Sequence, residues 1–242
     1  VEKTLVIIPT YNEKENIEAI IRKVFSLSLT FDLLIVDDNS PDETAHIVQS
    51  LQHDFPKRLF LEQRQGKLGL GTAYIHGFRY AINNGYTYVC EMDADFSHNP
   101  EDLIKLYQVL SDGYDIAIGS RYINGITVVN WPMDRLLMSY FGSKYVRFMT
   151  GMPVQDTTAG FIMYHRKVLE TIDYSLVKFT GYGFQIQMKF YAWKMGFKIK
   201  EVPIIFTDRT KGTSKMTSGI FKEAVFGVIS MKIKSWFQDF KR

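Results

Sequence analysis

The chain has 242 residues, 46% hydrophobic and 23% charged, with a formal net charge of +3 at pH 7. Those figures fit one large globular domain with a substantial core. So small an excess of positive charge gives no argument from bulk electrostatics for a nucleic-acid partner, and none is expected. The one cysteine, Cys90, sits in an apolar run, reads as a small buried hydrophobe and cannot form an internal disulfide, which suits a reducing compartment. No window approaches the roughly 18 consecutive apolar residues of a membrane span, so membrane contact is expected to be peripheral.

In chain order, Leu5-Val-Ile-Ile8 predicts a short buried strand stopped by Pro9. Thr10 or Asn12 can then cap a helix over about 14–28, with Ile17, Ile20, Ile21, Val24 and Phe25 at helical spacing. Leu33-Leu-Ile-Val36 is a second strand and ends in Asp37-Asp38. A helix over about 43–53, a weaker strand over 58–63 and a glycine-rich loop from Gly66 to Gly71 follow. A helix over about 72–84, a strand ending at Met92, a helix over about 100–111 and the strand Ile116–Ile118 complete the series.

Apolar strands alternating with amphipathic helices imply an α/β fold, a mostly parallel sheet covered on both faces. In such sheets ligands sit beyond the carboxyl ends of the strands. Pro9 to Glu13, Asp37-Asp38, Gly66 to Gly71 and Asp93 to Asp95 all fall there. Asp93 and Asp95 are two residues apart, so in extended chain both carboxylates point to one side, roughly 6 to 7 Å apart. That spacing could share one divalent cation, although a solvated turn after a strand reads the same way.

Other nucleotide motifs are missing. The first strand-to-helix turn, Pro9-Thr-Tyr-Asn-Glu13, lacks the Gly-x-Gly-x-x-Gly that a dinucleotide pyrophosphate needs, and Gly71-Thr72 lacks the lysine of a phosphate-binding loop. No Cys/His spacing suits zinc, and His76 and His98 read as surface or supporting residues. Acidic strand ends hold phosphates only through a metal, so a nucleoside diphosphate bearing a leaving group is the economical substrate class.

At this point the residues carry a family resemblance. Val6 to Glu13, Asp37 to Asp42 and Met92-Asp-Ala-Asp95 resemble the signature of inverting nucleotide-sugar glycosyltransferases of family 2, with a GT-A fold. Leu68 to Gly77, Gly119-Ser-Arg-Tyr122, Asn130-Trp-Pro132 with Arg135, and Glu201-Val-Pro203 followed by Arg209, Gly212, Ser214 and Lys215 are similar to dolichol-phosphate (polyprenol-phosphate) mannose synthases. The resemblance runs in order over about residues 4–220.

The resemblance implies transfer of mannose from GDP-mannose to a dolichyl or polyprenyl phosphate, with Mg²⁺ or Mn²⁺; another nucleotide sugar, such as UDP-glucose, or another acceptor stays open. It places Pro9, Tyr11, Glu13, Val36 and Asp38 around the nucleoside, although Asp38 could instead cap the following helix. It places Asp93, Ala94 and Asp95 at the sugar diphosphate, the two carboxylates holding the metal. Ser97 departs from a glutamine common in the family and leaves the rest of the metal shell open. Arg121 and Arg135 fall at the acceptor phosphate, where planar guanidinium forks suit phosphate oxygens, though each could equally make a surface ion pair. Arg209 and Lys215 are expected on a lid beside the leaving diphosphate. Asp156 is expected to position the acceptor, with general base as the lesser role, because a phosphate monoester with a second pKa of about 6 is already ionised.

The expected division is a GT-A domain over 1–216 and an amphipathic helix over 217–242. Phe226, Ile229, Ile233, Phe237 and Phe240 form one stripe of that helix, with Lys232, Lys234, Lys241 and Arg242 on its flanks. Such a helix suits a membrane interface and equally a core face. Trp131, Met133, Leu136, Leu137, Met138, Tyr140 and Phe141 offer a second interfacial stretch. The expected location is the cytoplasmic face of a membrane, which leaves room for a small membrane-anchoring partner.

Overall fold

The computed structural model describes residues 2–179, 181, 183–209, 219–237 and 240. Its first half is β1 (Thr4–Thr10), α1 (Ile17–Phe25), β2 (Asp32–Asp37), α2 (Thr44–Leu51), β3 (Leu59–Gln63), α3 (Leu70–Asn83), β4 (Tyr88–Glu91), α4 (Asp102–Ser111) and β5 (Ile116–Ser120). The second half is β6 (Val128–Val129), α5 (Met133–Thr150), β7 (Ile162–His165), α6 (Arg166–Thr171), α7 (Gly183–Lys194), β8 (Ile199–Pro203), β9 (Phe206–Thr207) and α8 (Gly219–Lys234).

Seven strands form one sheet in the order β3-β2-β1-β4-β7-β5-β8. All neighbours run parallel except β7, which is antiparallel to both β4 and β5. The expected mostly parallel sheet with helices on both faces therefore holds. From β1 the chain moves outward through β2 to β3, then returns to lay β4 on the other side of β1. That reversal opens a crevice at the carboxyl ends of β1 and β4.

Side-chain alternation along β1 divides the core in two. Leu5 and Ile7 join α3, α6, α7 and α8 on one face. Val6 and Ile8 join α1, α2 and α4 on the other. At Gly77 the backbone of α3 approaches β1 so closely that a Cβ would lie 2.7 Å from Ile7.

Three local expectations are corrected. Pro9 does not stop β1; the strand continues to Thr10, with Pro9 opposite Val36. β4 has by then ended opposite Ile7, so Pro9 has a strand partner on the β2 side alone. The first helix starts at Ile17, not near residue 14, because Asn12 takes a φ of 57° and the chain is still turning. The amide N–H groups of Asn12, Glu13 and Lys14 are instead satisfied by Ser40, Thr44 and Asp42, each at 3.0 Å.

The third correction is the end of the last helix: α8 stops at Lys234, short of residue 242. Among its described side chains Val228 and Met231 face the core, on α5 and α7. Phe226, Ile233 and Phe237 face outward, 71%, 46% and 86% exposed, while Phe240 packs against Tyr191. Lys215, Gly212 and Ser214 lie outside the described residues. Among those described, no helix is long and apolar enough to cross a membrane.

Candidate active site

At the ends of β1 and β2 the expected nucleoside residues gather. Asp37 is fully buried, and its carboxylate accepts from Thr10 at 2.7 Å and from the Ser40 hydroxyl at 2.6 Å. Asp37 therefore builds the turn, while Asp38, buried just past the end of β2, is left to Arg64. Arg64 donates to Asp38 from Nε at 2.6 Å, to the Thr72 hydroxyl at 2.8 Å and to the Gly69 carbonyl at 3.3 Å. One guanidinium thus ties the glycine-rich loop to the end of β2. Asp38 makes no cap for α2; the Thr44 amide donates to the Asp42 carboxylate at 3.1 Å instead. Tyr11 lies under the Lys67 ammonium, 4.9 Å from the ring centre, and Glu13 accepts from Asn16 at 3.1 Å.

Just past β4, Asp93 is partly exposed and Asp95 is buried. The Asp95 carboxylate accepts from the Ser97 amide at 3.0 Å and pairs with Arg209 at 3.0 Å. Burial alone would raise this carboxyl, but donation from Ser97 and the charge of Arg209 outweigh it and hold the pKa below its ordinary value. Between them Phe96 sits at a φ of 60°, a strained state for a bulky side chain that persists only where neighbours impose it. His98 is buried, stacks on Phe161 at 4.9 Å and accepts from the Asp93 amide at 3.3 Å. Burial, opposed by Asp95, pushes it down to about 4, so at neutral pH it is an uncharged buttress for the turn.

Arg121 follows β5 and is buried. Its Nε and Nη2 donate to the two oxygens of Asp156 at 2.7 and 2.6 Å, its amide donates at 2.9 Å, and Nη2 also reaches the Thr158 hydroxyl at 2.8 Å. The guanidinium lies within 5.5 Å of the ring centres of Tyr122, Trp131 and Phe206. Burial would raise the Asp156 carboxyl, but the charge and hydrogen bonds of Arg121 hold it below its ordinary value. A carboxylate so engaged orients an arginine; it is poorly placed to take a proton. Arg135, on α5, stacks 4.1 Å from the Trp131 ring centre and pairs with Asp208 at 2.9 Å.

A cavity of about 1010 Å³ collects these groups: Asp93, Asp95, Arg121, Arg135 and Arg209 all line it. The same wall includes Leu137, Phe141, Tyr145, Val146 and Ile186, so charged and apolar surfaces meet in one space. Pro9, Tyr11, Glu13, Val36, Asp38 and Ala94 do not line it, and Asp156 stands behind Arg121. Among the described residues no cluster of three His, Cys, Asp or Glu could hold a metal unaided. Asp93 and Asp95 nevertheless fit a hard cation: both offer carboxylate oxygen, and a guanidinium already stands against Asp95 as a cation would. The remaining places in such a shell suit substrate phosphate and water.

Residues 5–173 match the model of Glycosyl transferase family 2. The chain belongs to that family. This glycosyltransferase is 45% identical over 233 residues to the polyprenol monophosphomannose synthase of Mycolicibacterium smegmatis, covering 96% of the chain and 88% of that relative. It is 42% identical over 226 residues to the undecaprenyl-phosphate mannosyltransferase of Micrococcus luteus, covering 93% and 92%. Among solved structures, glucosyl-3-phosphoglycerate synthase from Mycobacterium tuberculosis, in complex with Mn²⁺, UDP and glucosyl-3-phosphoglycerate, superimposes with a TM-score of 0.68. That match covers 96% of this chain and 79% of the other at 17% identity, and establishes the shared GT-A fold.

Arg64 belongs to no motif that marks it, although like Arg121 it stands just beyond a strand. Lys189, fully buried on α7, gives no signal beyond a lysine among apolar neighbours.

Proposed function

We propose that this enzyme transfers mannose from GDP-mannose to a polyprenyl or dolichyl monophosphate, with inversion at the sugar carbon. The observation that carries the reading is the single cavity in which two carboxylates and three arginines meet an apolar wall. A lipid phosphate needs both surfaces at once; a water-soluble acceptor needs only the first. The mannosyltransferase relatives support the same acceptor class.

In this reading Pro9, Tyr11, Glu13, Val36 and Asp38 bind the nucleoside, and Asp93, Ala94 and Asp95 face the sugar diphosphate. Asp93 and Asp95 would hold Mg²⁺ or Mn²⁺, which when bound supplies positive charge to the diphosphate oxygens. Arg121 and Arg135 orient the acceptor phosphate, and Asp156 positions Arg121. A phosphate oxygen of the acceptor attacks C1, the bond from C1 to the diphosphate oxygen breaks on the opposite face, and GDP departs. Arg209, with Lys215, offsets the charge gathering on the leaving group. No proton need be removed from the ionised acceptor.

The lipid reaches the cavity from a bilayer surface. Met133, Leu137, Phe141 and Phe148 of α5 are 66%, 46%, 59% and 87% exposed; α8, packed beside it, turns Phe226 and Ile233 outward, and Phe237 in the turn after it is exposed too. Two adjacent helices with outward apolar stripes suit peripheral contact with the cytoplasmic face of a membrane, alone or beside a small anchoring partner.

Calorimetric titration of the nucleotide sugars tests the donor. GDP-mannose should bind in the presence of Mn²⁺, and Asp95→Asn should remove the metal dependence. Preferential binding of UDP-glucose would overturn the donor assignment.

A further inference from the structure

The loop that carries Asp156 is held by charged groups that the transfer reaction does not itself use. From one side, the Glu201 carboxylate on β8 accepts from the backbone amides of Gln155 and Asp156 at 2.7 and 2.9 Å. From the other, the Lys189 ammonium on α7 donates to the carbonyls of Thr157 at 3.0 Å, Ala159 at 2.6 Å and, within its own helix, Gln185 at 3.3 Å. Arg147 of α5 adds a bond to the Gln155 side chain. Two carbonyls converging on one buried point repel each other unless a multiple donor lies between them, and an ammonium offers three N–H groups.

The outcome of this clamp is the placement of one side chain. Asp156 and Thr158, both in the clamped loop, grip Arg121 along one edge, and Tyr122, Trp131 and Phe206 contact its faces. A rigid element is what fixes a phosphate-binding fork to within a fraction of an ångström. Lys189 is fully buried, and burial pushes it down to about 8, opposed by Asp156, Glu91 and Glu201 and assisted by Arg121. Holding it charged near neutral pH therefore costs stability, which a loop of purely architectural purpose could avoid with an apolar residue.

We infer that Lys189 and Glu201 are positioning residues for the acceptor phosphate, acting through the 155–160 loop to aim Arg121 into the cavity. This deepens the proposed function, since it rests on Arg121 as a ligand of that phosphate.

The test is steady-state kinetics with a short-chain polyprenyl phosphate, varying acceptor and donor separately in Arg121→Ala, Lys189→Met, Glu201→Gln and the Lys189→Met/Arg121→Ala double variant. Lys189→Met and Glu201→Gln should each raise the acceptor KM about tenfold, a displacement of about 1.4 kcal/mol, and leave the donor KM unchanged. In the Arg121→Ala background Lys189→Met should add nothing, because the residue through which it acts is gone. An Arg121→Ala enzyme with an unchanged acceptor KM would refute the phosphate role of Arg121 itself. With that role intact, the inference is overturned if both single variants raise the two KM values alike, or if their effects persist without Arg121. Should Lys189→Met fail to fold, Glu201→Gln, which alters one partly exposed carboxylate, decides on the same criteria with its own double variant.

Discussion

Replacing Arg209 with methionine should strengthen metal binding while weakening turnover. Arg209 lies 3.0 Å from Asp95 Oδ2, with side-chain exposures of 21% and 5%. At an effective dielectric of ~20, unit charges ~4 Å apart attract by about 4 kcal/mol. Desolvation offsets much of that, leaving about 1.5–3 kcal/mol for a hydrogen bond between charged partners. A divalent cation arriving at Asp95 must forgo or rearrange this pair. Methionine keeps the bulk and removes the competitor, so the affinity of nucleotide-free protein for Mn²⁺ should rise about tenfold or more, tenfold being about 1.4 kcal/mol. Without metal the variant should be less stable, because Asp95 keeps its burial and the Ser97 amide but loses its charged partner. Mn²⁺ at a hundredfold excess over its dissociation constant should return about 2.7 kcal/mol. Electron paramagnetic resonance titration of free Mn²⁺ gives the affinity, and urea unfolding with and without metal gives the stability. The maximal rate should fall, since the leaving diphosphate loses a cation. Unchanged or weaker Mn²⁺ binding in the variant would refute the reasoning, for Arg209 would not then occupy the cation's place.

Three further outcomes follow from the geometry. Lys189 has a folded pKa of about 8 against an ordinary 10.5, so between those values the unfolded chain binds the extra proton and stability rises with pH, by at most about 3 kcal/mol. Urea unfolding from pH 7.5 to 10 should show that rise in the wild type and lose it in Lys189→Met; parallel curves would contradict it. Gly77→Ala should cost about 1–3 kcal/mol by overpacking against Ile7, read as a lower urea midpoint with an unchanged slope. Phe148→Ser with Phe237→Ser should lower sedimentation with liposomes while thermal unfolding stays unchanged; undiminished liposome binding would assign those exposed rings another purpose.

Most of the sheet could be read from the sequence because its strands are short apolar runs and its helices keep period. Leu33 to Val36 and Ile116 to Ile118 need no tertiary information to be recognised. The ends of elements were less legible, for reasons visible at Asn12: the turn after β1 is built by Ser40, Asp42 and Thr44, which are distant in sequence. The last helix was ambiguous for a different reason. A stripe of Phe226, Ile229, Ile233, Phe237 and Phe240 suits a bilayer surface and a core face alike, and only the packing of Val228 and Met231 turns Phe226 and Ile233 outward. Asp93, Asp95, Arg121, Arg135 and Arg209 were accessible because each stands just beyond a strand or in a recognisable motif, and the cavity brings them together. The partners were not. That Asp156 grips Arg121, that Arg64 grips Asp38, and that Arg209 rests on Asp95 are pairings across 35, 26 and 114 positions, set by topology rather than by local pattern.

The most direct test of the central claim is transfer itself. Labelled GDP-mannose, Mn²⁺ and a short polyprenyl phosphate are incubated with the enzyme and the organic phase is counted. Label should enter that phase with the wild type, and Asp95→Asn and Arg121→Ala should reduce it strongly while remaining folded. Label confined to the aqueous phase with the wild type, or transferred undiminished by both variants, would contradict the account.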